Sequence, residues 1–279
     1  MAKLKKNISI GAIIRISILS LWSLLVLLPL WIMIINSFKA RVEIYRSPLN
    51  LPTSFDFSGY LSVFQNSSFL LYFLNSIIIT FASIALILLV TSLASYAIVR
   101  WKNRIASLLS VFFLAGLLIP LRIGSIYLLQ LSKTLRLIDS FWSLLPIYVS
   151  MGIPIGVLVL TELIRRVPTA LYDAARIDGA SRFGTYLRIL LPLIQPGLAT
   201  VAIIHIVLFW NDLWFPLILI QNESQRTLML GISHLFGQYQ TNWTRILATL
   251  TLGSFPVVIV YVLMSRQFIA GLTAGAIKE

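Results

Sequence analysis

Six stretches of this 279-residue chain run for about twenty residues without a formal charge, and that pattern decides what it can fold into. A helix rises about 1.5 Å per residue and bilayer hydrocarbon is about 30 Å thick, so about 20 apolar residues cross it. The stretches are residues 16–38, 69–99, 105–121, 141–161, 189–210 and 246–265. With 58% hydrophobic and 11% charged residues and a mean hydropathy of +0.93, the chain is too apolar for a soluble domain. The expected fold is an all-α membrane protein with six transmembrane helices. The third stretch is short and interrupted at Pro120 and Arg122, but residues 123–131 are apolar again, which allows the helix to continue past Arg122. The second is longer than a bilayer needs, so its start at 69–75 lies in the interface or the helix tilts.

The net charge of +13 would suggest nucleic acid in a soluble chain; in a membrane chain basic residues mostly set orientation. With six spans both termini share a side. That side carries Lys3, Lys5, Lys6, Arg15, Arg100, Lys102, Arg104, Arg165, Arg166, Arg176, Arg182, Arg188, Arg266 and Lys278, fourteen of the 22 basic residues. The positive-inside rule therefore makes both ends cytoplasmic. The first stretch is span-length without an obvious small-residue cleavage site, so it is expected to stay as a helix rather than leave as a signal peptide. The absence of cysteine excludes disulfides, thiolate metal sites and cysteine nucleophiles, and leaves the redox compartment undetermined. The expected organisation is a cytoplasmic tail over 1–15, a first helix with a long extracytoplasmic loop over 16–68, a five-helix core over 69–265, and a cytoplasmic tail over 266–279. Three connections are long: 39–68 and 211–245 outside, and 162–188 inside.

The inner connection is the most informative. Pro168 suits a helix start; Leu171, Ala174, Ala175 and Asp178 fall on adjacent turns; Gly179 supplies a left-handed stop; Ser181 can cap a second helix. Small residues at Ala174, Ala175 and Gly179 let another surface approach the backbone, with arginines at the edges for anchoring. A basic loop that merely holds topology is the competing reading of these residues. The spacing adds more. Asp173-Ala174-Ala175, three residues, Gly179, nine residues, Ile189, one residue, Leu191-Pro192 resembles the EAA signature of permease subunits in ATP-binding-cassette (ABC) importers, with Asp in place of Glu at the first position.

The similarity extends along the chain. Asn36-Ser37-Phe38-Lys39, Pro48, Leu51-Pro52, Tyr60, Phe64, Asn75-Ser76, Trp210-Asn211-Asp212, Pro216-Leu217, Arg226-Thr227-Leu228 and the terminal residues 271–278 resemble the sugar-importing, maltose-transporter type. The resemblance implies a type I ABC importer transmembrane domain in a bacterial or archaeal cytoplasmic membrane, with residues 69–265 as its type-1 core. It implies as partners a second related permease, two cytoplasmic ATP-binding subunits and an extracytoplasmic solute-binding protein, toward which the segment 221–243 reaches. It also implies that Asp173, Ala174, Ala175 and Gly179 form a coupling helix seated on an ATPase subunit, held at a fixed angle to span five by Ile189, Leu191 and Pro192. Asp173 keeps the charge on a shorter arm, which leaves only the detail of that contact open. The chain has no phosphate loop, since no Gly-Lys pair occurs in it, so it is expected not to be an enzyme. No cofactor, metal or nucleic acid is expected on it; ATP and Mg would sit in the partner subunits.

Candidates for a substrate pathway are the polar groups near the spans. Asn75 heads span two, where an interhelical hydrogen bond is the alternative role. Trp210, Asn211 and Asp212 end span five, where an aromatic beside two polar groups suits a sugar and an interfacial anchor is the alternative. His205 within span five reads as a buried polar tether, because a proton relay would need carboxylates at its depth. Arg122 and Glu162 flank spans without an assigned role. A secondary transporter would place ionisable residues at mid-membrane, and an integral membrane enzyme would need a nucleophile–base set; neither is visible. The imported solute is expected to be a di- or oligosaccharide or glycoside. A glycerol-phosphate-type solute is the alternative, although only Arg122 offers a pathway cation for it.

Overall fold

The computed structural model describes residues 10–65, 68–101, 103–236 and 242–276, with side chains up to residue 267, and those residues form helices and turns without strands. In chain order the helices are α1 (Ile10–Asn36), α2 (Arg41–Arg46), α3 (Ser58–Gln65), α4 (Phe69–Trp101), α5 (Arg104–Gly116), α6 (Ser125–Thr134), α7 (Leu144–Arg165), α8 (Thr169–Ile177), α9 (Arg182–Thr185), α10 (Leu191–Leu193), α11 (Gln195–Trp210), α12 (Trp214–Leu219), α13 (Leu228–Ser233) and α14 (Trp243–Ala276). A short 3-10 turn at Phe141–Ser143 extends α7, and a π turn at Tyr186–Leu190 separates α9 from α10. The chain forms two compact units, one from residues 1–67 with 234–253, the other from 68–233 with 254–279.

In the first unit α1 is apolar on every side beyond Arg15, with Ile, Leu, Val and Trp side chains exposed along most of its length, as a membrane span is. Its end is nailed to the loop that follows. Asn36 donates to the carbonyls of Ile32 (2.7 Å) and Pro48 (2.8 Å). The Ser37 hydroxyl meets the Tyr60 hydroxyl at 2.6 Å, and the buried Lys39 ammonium donates to the Ser47 carbonyl at 2.8 Å. Phe38 packs on Phe55, Phe57 and Tyr60. The four-residue motif read in the sequence at 36–39 thus folds the long loop back on itself by satisfying its carbonyls.

In the second unit α4 packs against α7, α5 and α11. Buried Ser76, Thr80, Ser83, Thr91 and Ser95 mark the inner face of α4, and Gly152 and Gly156 lie on the facing side of α7. A Cβ at Gly156 would come within 2.6 Å of Thr91 Cγ2, so the two backbones approach as closely as small residues permit. Around this contact Ile79, Ile87, Leu144, Leu160, Ile164 and Val201 form the apolar core.

Two spans differ from the sequence expectation. The third does not continue past Arg122: α5 ends at Gly116, the chain turns over 117–124, and α6 starts at Ser125. Pro120 supplies no N–H, and the turn is closed instead by bonds from Leu117 to Leu114, Leu118 to Ala115 and Ile123 to Pro120. The fifth begins at Gln195 rather than Ile189, because the helical segment 182–193 and α11 meet at 72°. Pro192 and Pro196 flank that break, and each removes a backbone donor. Among the described residues four helices are long and apolar enough to cross a membrane, or five if the bent pair counts as one span. Arg15 lies inside α1, and α14 runs to Ala276, so helix extends into both terminal segments. Lys102, residues 1–9, residues 237–241 of the outer connection and residues 277–279 lie outside the described residues.

Candidate functional site

The connection over residues 162–188 folds as two short helices around a glycine. α8 follows Pro168 and ends in a Schellman motif: Ala180 N–H bonds to the Ala175 carbonyl (2.9 Å) and Gly179 N–H to that of Arg176 (3.1 Å). Gly179 has φ +78°, a conformation that disfavours any residue with a Cβ. Ser181 then caps α9, its hydroxyl accepting from Gly184 N–H at 3.0 Å.

This segment has two unlike faces. Tyr172 and Ala175 are buried toward the chain. The Tyr172 ring lies beneath the Arg100 guanidinium at 4.2 Å and beside Tyr96, which also packs on Tyr186. Burial pushes the Tyr172 hydroxyl above its ordinary pKa, opposed by the Arg100 charge. The outer face carries Asp173, Ala174, Asp178 and Gly179, with Ile177 87% exposed. Of the two alanines read together in the sequence, the structure turns Ala174 out and Ala175 in. Ile189 and Leu191 are half-buried and Pro192 is exposed, while their neighbours Leu190 and Ile194 are fully buried. The π turn and the 72° bend therefore sit on a fixed apolar footing between α9 and α11.

At the opposite end of α11 the structure brings Asn211, Asp212 and Arg122 to an open depression of about 500 Å³, lined also by Trp214 and Leu217. Asp212 accepts from the Tyr148 hydroxyl (2.9 Å) and from Trp214 N–H (3.1 Å). Burial raises its carboxyl pKa, opposed first by the Tyr148 hydrogen bond and also by the Arg122 charge. Trp214 Nε1 donates to Ser125 (2.8 Å), tying α12 to α6. Asn211 donates to the Val207 carbonyl (2.8 Å). Trp210 does not line the depression; it is buried edge-on to Phe73. Asn75 does not line it either: its amide donates to the Ser224 and Arg226 carbonyls, both at 3.0 Å. Tyr72, through Glu223, and Ser76, through Leu228 N–H, hold the same segment, and Asp139 accepts from Gln221 and Asn222 N–H. Tyr148, Trp214, Ser125 and Asp139 were not visible as site residues in the sequence, because each acts on a group more than sixty residues away. His205 is buried and its Nδ1 lies 2.6 Å from the Val201 carbonyl. Among the described residues no group of three His, Asp or Glu side chains could hold a metal ion.

Residues 91–273 match the family described as binding-protein-dependent transport system inner membrane component. The chain belongs to this family of ABC-transporter permeases. A putative ABC transporter permease of Caldicellulosiruptor sp. is 34% identical over 93% of this permease and 94% of its own length. A probable starch degradation products transport system permease of Thermoanaerobacterium thermosulfurigenes is 35% identical over 92% and 93%. An arabinooligosaccharide transport system permease of Bacillus subtilis is 30% identical over 92% of each chain. The fold matches a bacterial ABC transporter involved in import of the acidic polysaccharide alginate, with a TM-score of 0.81 at 20% identity over 96% of this permease and all of that chain. The chain is thus the membrane-embedded permease component of an ABC importer, not its ATPase, and has the type I importer fold.

Proposed function

We propose that this permease forms half of the pathway that carries an oligosaccharide or glycoside across the cytoplasmic membrane, driven by ATP hydrolysis in partner subunits. The observation that carries the coupling is the geometry of α8. Its outer face is exposed at Ala174 and Gly179, its inner face is clamped by Tyr172, and it joins α11 through a bend with buried footing. A push on that outer face is passed to α11 as a lever movement rather than absorbed. Asp173, Ala174 and Gly179 are the contact to the ATP-binding subunit, Ala175 anchors the helix from inside, and Ile189, Leu191 and Pro192 set its angle. Closure of two ATP-binding subunits, with ATP and Mg bound in them, then shifts the population between inward- and outward-open arrangements of this chain and a second permease. A solute-binding protein delivers the sugar from outside, and both termini are cytoplasmic.

The saccharide class is supported by the sugar-transport names of the relatives and by the outer depression. There Arg122 and Asp212 place opposite charges beside Asn211, an arrangement suited to hydroxyls. A glycerol-phosphate solute would favour converging cations instead. The test is uptake by proteoliposomes holding the whole transporter, its binding protein and luminal ATP. ATP-dependent accumulation of a neutral oligosaccharide is expected; accumulation of a phosphodiester and not of any saccharide would overturn the substrate class.

A further inference from the structure

The inner face of α8 closes over a cleft of about 600 Å³ between the cytoplasmic end of α4 and the segment 172–186. Tyr96, Trp101 and Phe183 give it an aromatic wall, and Arg100, Arg176 and Arg182 line it too. Trp101 and Phe183 are 56% and 63% exposed, so this wall has an open side. None of the three arginines forms an ion pair among the described residues, where the one ion pair is Arg165 to Glu162 at 2.7 Å. The acidic residues of the same loop, Asp173 and Asp178, do not line the cleft. Tyr172 also lines it; the residue is 2% exposed, and its hydroxyl is buried without a hydrogen-bond partner among the described residues. Three guanidinium groups without an ion pair, Arg100 stacked on the Tyr172 ring, and an unsatisfied donor are the complement of a phosphate, and a basic pocket at the cytoplasmic side of transmembrane helices is where anionic headgroups bind. A free phosphate would gain nothing from the aromatic wall, which suits the upper part of an acyl chain.

We propose that this cleft binds the headgroup of an anionic phospholipid of the cytoplasmic leaflet. Arg100, Arg176, Arg182 and the Tyr172 hydroxyl hold its phosphate, and Trp101 and Phe183 flank its chain. The lipid would tie the inner face of α8 to α4 from the side opposite Ala174 and Gly179, and so stiffen the coupling segment. The proposal rests on the inward placement of this loop for its choice of leaflet only.

The test is native mass spectrometry of the intact transporter containing this chain, with phosphatidylglycerol or phosphatidylcholine added, read alongside thermal melting. Because retention of lipid is measured without transport, failure here is distinct from failure of the importer reading. Wild type is expected to retain phosphatidylglycerol selectively, and the double variant Arg176→Gln/Arg182→Gln to bind it roughly thirtyfold more weakly. Tyr172→Phe removes a hydroxyl with no partner among the described residues, so it keeps the fold and loses part of the binding. Arg165→Gln, whose side chain is paired to Glu162 outside this cleft, should bind as wild type does. Equal retention by wild type and the double variant would overturn the site. Equal melting shifts from inorganic phosphate and from phosphatidylglycerol would overturn the lipid as its occupant.

Discussion

Gly179 allows strain and docking to be separated by three substitutions at one position. Its φ of +78° belongs to the left-handed region, and no heavy atom lies within 4 Å of where a Cβ would stand. A Cβ there meets nothing among the described residues, so insertion and abundance should persist. Gly179→Ala adds only backbone strain, roughly 1–2 kcal/mol, which lowers the ratio of closed to frayed α8 by roughly 5–30-fold. Gly179→Asn tolerates the left-handed conformation and adds bulk on the exposed face. Gly179→Asp adds bulk and an unpaired charge, and desolvating that charge at a contact costs several kcal/mol. Uptake at least roughly tenfold below that of the Asn variant is therefore expected, with ATPase activity surviving. The assay is binding-protein-dependent uptake and ATP hydrolysis by the transporter in proteoliposomes. Transport at the wild-type rate by Gly179→Asp would refute the docking role of this face. Undiminished coupling in Gly179→Ala would refute the cap as its support.

Four further outcomes follow from the geometry. Gly156→Val forces a Cβ to within 2.6 Å of Thr91, and overpacking of about 1–3 kcal/mol should lower the melting temperature in detergent. Asn75→Ala removes both bonds to the Ser224 and Arg226 carbonyls, about 1–2 kcal/mol, and should speed hydrogen exchange over residues 222–228 without changing that of α8. Asp212 has a raised carboxyl pKa, so its contribution to stability is present at low pH and is lost as pH rises through the folded-state value. Asp212→Asn should therefore melt higher than wild type at pH 8, with the gap closing below the ordinary carboxylate range; a gap that widens in acid would contradict the burial. A cysteine introduced by Arg166→Cys should resist impermeant thiol reagents in intact cells and react in inverted vesicles, and labelling from outside would reverse the topology.

How far the sequence could be read depended on how local the physics was. The end of α8 at Gly179 and the cap at Ser181 were legible, because a left-handed glycine and a side-chain acceptor act within a few residues. The break at 117–124 was not, since a proline in an apolar run is equally compatible with a kinked continuous span. Trp210, Asn211 and Asp212 read as one cluster, but a helix end turns consecutive residues apart: Trp210 packs on Phe73, while Asp212 faces Tyr148. Nothing near Tyr148 in the sequence announces that bond. Likewise Ala174 and Ala175 are equivalent as letters and opposite in space, because adjacent helical positions differ by about 100°.

The proposed role of α8 is to couple this permease to an ATPase. It is tested most directly by cross-linking a cysteine placed at Ala174, on the exposed face, in native membranes, followed by mild-detergent capture and mass spectrometry. A nucleotide-dependent cross-link to an ATP-binding subunit, recovered together with a second permease, is expected. Recovery of the chain alone, under conditions that preserve other membrane complexes, would contradict it.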